Sequence, residues 1–161
     1  MTKPGNDLLS EIKETMGDAW LPQIYRERIL SMRTRSYEFA VLPANPAPQI
    51  QHTLLGIELK VGRRRMLCPD LATARYLSVF ARAGCRSVAI PYDITKISQV
   101  ADQLESSWHR MFLLADGLAG NLASQARIRR TLVAKVREEI TAAGSGPRNP
   151  EFEHNTKKRR Q

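Results

Sequence analysis

The residues best placed to do chemistry sit in Gly56-Ile57-Glu58-Leu59-Lys60-Val61. In an extended chain successive side chains alternate, so Glu58 and Lys60 leave the same face. Ile57, Leu59 and Val61 then turn the other way, into a core. A carboxylate beside an ammonium at the edge of a sheet suits metal-assisted phosphodiester cleavage. The carboxylate helps hold a divalent cation, Mg2+ or Mn2+, while the lysine orients water and offsets charge in the transition state. Arg63, Arg64 and Arg65 follow at once, and their guanidinium forks suit phosphate. The plain alternative for Glu58 and Lys60 is an exposed charge pair worth a few tenths of about 1 kcal/mol.

Other reactive side chains form no such group. His52, His109 and His154 lack metal-ligand spacing, and Ser36, Ser78 and Ser98 lack the context of a catalytic triad. Cys68 and Cys85 match neither a disulfide framework nor a zinc pattern and read as small buried hydrophobes. Gly117 and Gly120 are not followed by the Lys-Ser/Thr of a phosphate loop.

The surrounding pattern supplies the elements that must position Glu58 and Lys60. Leu8, Leu9, Ile12, Met16 and Trp20 recur at helical spacing behind Asp7 as N-cap, and Pro22 then leads into a second short helix from Gln23 to Met32. Ser36–Leu42 reads as a strand ended by Pro43, Pro46 and Pro48. His52–Val61 reads as one strand, turned at Gly62-Arg63 into a second over Arg64–Cys68. Asp70 caps a helix that Gly84 closes, and Ser87–Ile90 is a short strand. Asp93 or Thr95 opens a long helix with Ile97, Val100, Leu104, Trp108, Met111 and Phe112 on one stripe, and a last helix spans Asn121–Ala142. The expected class is α/β (α+β), an αβββαβ-type mixed four-strand sheet flanked by helices with a C-terminal helical extension. A single basic domain is expected over residues 1–143, with its core at about 36–91 and the extension at about 95–142, before a disordered basic tail over 144–161.

With Glu58-Leu59-Lys60 on a strand, a short basic stretch after it, then Asp70 opening a helix and a hydrophobic strand beyond Gly84, the chain resembles the PD-(D/E)xK nuclease superfamily. The restriction-endonuclease-like fold carries an acid on one strand and (D/E)-x-K on the next. The likeness is to its Holliday-junction-resolvase-like branch and covers roughly residues 36–91. It implies a metal-dependent endonuclease with Glu58 and Lys60 as catalytic residues. No aspartate lies on a strand before Glu58, so Glu38 is the acid that would complete a metal site with Glu58. The likeness also implies a homodimer.

Charge bears on the partner. Lys and Arg number 25 against 16 Asp and Glu, for a net charge of +9. Such a surface attracts polyanions by counterion release. Nucleic acid is the expected partner, DNA before RNA, held by Arg63, Arg64, Arg65, Arg127 and Arg130. Two Trp, four Tyr and four Phe, few of them near the basic clusters, argue against a base-stacking single-strand binder. The alternative is a non-enzymatic interaction or assembly subunit that binds RNA or an acidic protein, docking through the Leu104–Phe112 stripe. No apolar run is long enough to span a membrane, and unpaired cysteines suit a reducing compartment, so a cytoplasmic protein is expected.

Overall fold

The computed structural model describes residues 5–39 and 48–146. Helix α1 runs Gly5–Met16 and begins ahead of Asp7, which therefore lies inside the first turn rather than capping it. A 3-10 turn at Gly17–Ala19 leads to the four-residue α2, Leu21–Ile24, with Pro22 in its first turn, where a missing N–H costs no bond. The chain then widens into a π turn, Tyr25–Ile29, where Leu30 N–H reaches the Tyr25 carbonyl at 2.9 Å. Ile12, Met16 and Trp20 are buried, as their spacing predicts, and Ile29 is buried with them.

The α+β class and the C-terminal helical extension are those expected. The strands are arranged differently from a single four-strand mixed sheet. There are five among the described residues, all antiparallel, in two sheets. Strand β1, Thr34–Glu38, pairs with β5, Ser87–Pro91. The other sheet is the meander β2, Gln49–Thr53, β3, Gly56–Val61, and β4, Arg64–Cys68. The single strand expected over His52–Val61 is thus a hairpin. Thr53 Oγ1 accepts the Leu55 N–H at 3.2 Å, and Gly56 adopts a φ of 128° that side-chain-bearing residues avoid. The expected strand at Ser36–Leu42 starts earlier, at Thr34, and its residues 40–42 lie outside the described residues.

The edge of β5 explains the division. The bonds Phe39 N–H to Arg86 and Tyr92 N–H to Arg33 fix which residues of the β1–β5 ladder face each other through hydrogen bonds. By alternation, the N–H and carbonyl of Ala89 point away from β1. Tyr25 Oη accepts that N–H at 2.8 Å and Tyr76 Oη donates to that carbonyl. Two phenols from the helices occupy the place a further strand would take. Burial pushes the Tyr25 pKa up to about 12, so its hydroxyl keeps the proton it donates to the Gly144 carbonyl at 2.6 Å.

That last bond carries contacts with the body past residue 143. Residues 144–146 lie against the body: Ser36 Oγ donates to Ser145 Oγ at 2.9 Å, and Gly146 sits over Thr34 and Ala89. The remainder of the expected disordered tail lies outside the described residues.

Helix α3, Leu71–Arg82, starts at Asp70, whose carboxylate accepts the Thr73 N–H at 2.7 Å. It ends as the sequence predicts, with Gly84 N–H on the Ala81 carbonyl and Cys85 N–H on that of Phe80. Asp93 caps α4, Ile94–Leu118, and Asn121 caps α5, Leu122–Ala143. Leu104, Trp108 and Met111 are buried, and Phe112 is half-buried with the Arg129 guanidinium 4.8 Å above its ring. The stripe proposed for docking is therefore core. Both cysteines are free and buried, and burial pushes the Cys85 thiol up to about 12. No helix among the described residues is long and apolar enough to cross a membrane.

Candidate nucleic-acid interface

The β2–β3–β4 meander positions the residues singled out above. Directly opposed residues of antiparallel strands share a face. The register therefore builds one outer face with Gln51, Glu58 and Leu67 in one row and Gln49, Lys60 and Arg65 in the next. Leu59, Val61, Met66 and Cys68 take the other face, toward α3, where Leu59 and Val61 are fully buried. The alternation expected for Glu58 and Lys60 is what the strand shows. The β3–β4 turn also falls at Gly62-Arg63 as expected, with φ 60° at Gly62.

Lys60 faces Arg65 directly across the strands. Two like charges in that relation destabilise a sheet. Arg63, Arg64 and Arg65 are exposed, and none of these four cations has an acidic partner within 4.0 Å among the described residues. Other cations in the protein are spent on structure. Arg75 binds Glu105 and Asp102, which raises its pKa further, Arg129 binds Asp116, and Lys13 and Arg26 reach Glu139. Arg127 and Arg130 are exposed on either side of the paired Arg129. They stand on α5, which packs chiefly on α1, α2, α4 and β5.

Glu58 is the exception on the outer face. It is only 6% exposed, and its carboxylate accepts the Thr53 hydroxyl at 2.9 Å. Alternation alone does not reveal this partner, because the turn that brings Thr53 back to Glu58 lies inside the stretch read as one strand.

The strands do not bring Glu38 and Glu58 onto one face. Tyr37 is the β1 residue that reaches the meander, its hydroxyl meeting Met66 Sδ at 2.8 Å on the meander's inner face. Glu38, next along β1, leaves the opposite side of its own ribbon, and Glu58 leaves the side of the meander opposite Met66. Both acids thus point away from the contact between the two sheets. No group of three or more His, Cys, Asp or Glu side chains among the described residues is placed to hold a metal.

Of the three histidines, His154 lies outside the described residues. His52 is exposed on β2. His109 shares a small pocket of about 200 Å³ with Ser78 and Glu105, but Glu105 is held by Arg75 and no hydrogen bond links Ser78 to His109. No protein-family model, curated protein or solved structure matches the chain.

Proposed function

We propose that the protein binds nucleic acid, DNA before RNA, on the outer face and far turn of the β2–β3–β4 meander. The observation that carries this reading is the unneutralised pairing of Lys60 with Arg65, next to Arg63 in the turn and with Arg64 exposed at the same end on the opposite face. A sheet that holds like charges opposite each other without an internal counter-charge is relieved when an anion bridges them. Phosphates of a nucleic-acid backbone supply evenly spaced anions, and arginine grips them bidentately. The net charge of +9 adds long-range attraction. This reading includes no cleavage step, because Glu38 and Glu58 leave the sides of their sheets that face away from each other.

The test is a titration of duplex DNA and of structured RNA at several salt concentrations. Affinity should fall linearly with salt on logarithmic axes, with a slope of about −0.9 per phosphate neutralised on duplex DNA. Replacing Lys60 and Arg65 together by Ala should flatten that slope by about 1 to 2 and weaken binding to all sequences alike. No binding at low salt, or an unchanged slope in the double variant, would overturn the proposal.

A further inference from the structure

At the end of the meander opposite the Gly62-Arg63 turn, the β2–β3 turn holds Leu54 and Leu55 out in solvent, at 107% and 79% exposure. Leu67 of β4 joins them at 63%, its Cδ1 lying 3.5 Å from where Gly56 would carry a Cβ. These three exposed leucines form an apolar rim, a feature that marks contact surfaces. The turn beneath them is held firmly. The Thr53 hydroxyl accepts the Leu55 N–H at 3.2 Å and donates to the Glu58 carboxylate at 2.9 Å. A nearly buried carboxylate is thus committed to fixing a turn whose tip is free.

Charge decides between occupants. Lys60 and Arg65 lie on the same face, about 7 Å from the Glu58–Leu67 row and about 13 Å from the Thr53–Gly56 pair at the base of the turn, at ~3.3 Å per residue. A second copy of this chain would bring +9 against +9. A nucleic acid offers what the surface lacks on both counts: phosphates for the cations and, just inside them, apolar base faces for the leucines. Apolar side chains inserted between base steps are an established way for proteins to grip and kink a duplex. We infer that Leu54 and Leu55 form a preorganised wedge that enters the base stack of the bound nucleic acid, with Lys60 and Arg65 on phosphates further along the backbone. This rests on the nucleic-acid reading above. It adds a substrate preference for duplexes whose stacking is easily opened, such as one with a mismatched step, over fully paired ones.

The experiment uses a duplex carrying 2-aminopurine beside a single mismatch, and its fully paired counterpart, with the wild type and the L54S/L55S variant. Both side chains face solvent, so the variant should melt as the wild type does. Wild-type binding should raise the 2-aminopurine fluorescence and favour the mismatched duplex. The variant should bind that duplex about tenfold more weakly, keep the wild-type salt slope and give no fluorescence rise. Binding without a rise or a mismatch preference, or an equal rise from the variant, would overturn the wedge and leave the cationic interface standing. No binding by the wild type at low salt would remove both. Concentration-dependent dimerisation of the free wild type that the variant lacks would assign the rim to a second copy and overturn the wedge.

Discussion

Thr53 and Glu58 illustrate how much one hydroxyl can hold. Thr53 Oγ1 serves the Leu55 N–H and the Glu58 carboxylate at once. Thr53→Val keeps the shape and removes both bonds, leaving a nearly buried carboxylate without its donor. The expected loss is about 1–3 kcal/mol, read as a lower urea midpoint, whereas Thr53→Ser should retain most of the stability. Equal midpoints for the two variants would show that the turn does not depend on the hydroxyl. At this scale the sequence was legible wherever a residue acts on its near neighbours. Asp70 and Asp93 cap the helices that follow them, and Gly84 closes α3, because each answers to backbone groups within a few positions. The face of Glu58 was legible from alternation; its partner was not, since two exposed leucines gave no sign of a turn.

Among elements, the two sheets are separated by what covers their edges. The apolar runs that became β1 and β5 were visible, but which strand each would choose was decided by Tyr25 and Tyr76, far away in sequence. The same region sets a limit on residue 146. A Cβ on Gly146 would lie 2.7 Å from Thr34 Oγ1 and 3.1 Å from Ala89 Cβ, at a φ of 78°. Gly146→Val should therefore lower the melting temperature, by a destabilisation of about 1–3 kcal/mol. Gly117 stands inside α4 with open space around it, so Gly117→Ala should raise it through about 0.4–1 kcal/mol. If Gly146→Val melts no lower than the wild type, the segment after α5 is not held against β1 as described.

For the molecule as a whole, net charge was the most legible property and the least specific. Composition counted the cations; only the structure separates those bound to Glu105, Asp116 and Glu139 from those left facing outward. Glu139 of α5 is the acid that gathers the N-terminal helices. It accepts Trp20 Nε1 and Lys13 Nζ, each at 3.0 Å, with Arg26 at 3.6 Å. Burial alone would raise its pKa, but the bonds from Trp20 and Lys13 and the charges of Lys13 and Lys135 outweigh it and hold the carboxyl below its ordinary value near 4.5. A depressed carboxylate stabilises the fold above its unfolded pKa, and that contribution fades as pH falls through the lower, folded one. Acid unfolding should accordingly steepen below about pH 4.5. Glu139→Gln should be less stable at neutral pH and show a shallower acid limb in pH-resolved melts. An unchanged limb would show that Glu139 does not govern acid stability.

The Tyr25 hydroxyl has a bearing on the order in which this chain assembles. It joins Ala89, 64 residues away, to Gly144, 119 residues away. Contacts of such span carry the loop-closure entropy of all the chain between them. On a growing polypeptide the full joint cannot close until residue 144 has left the ribosome. Until then the Tyr25 O–H has no acceptor at that joint, and the N-terminal arm rests on β5 and α4 without it. Docking of that arm is a late event in synthesis, although its residues are the first to be made.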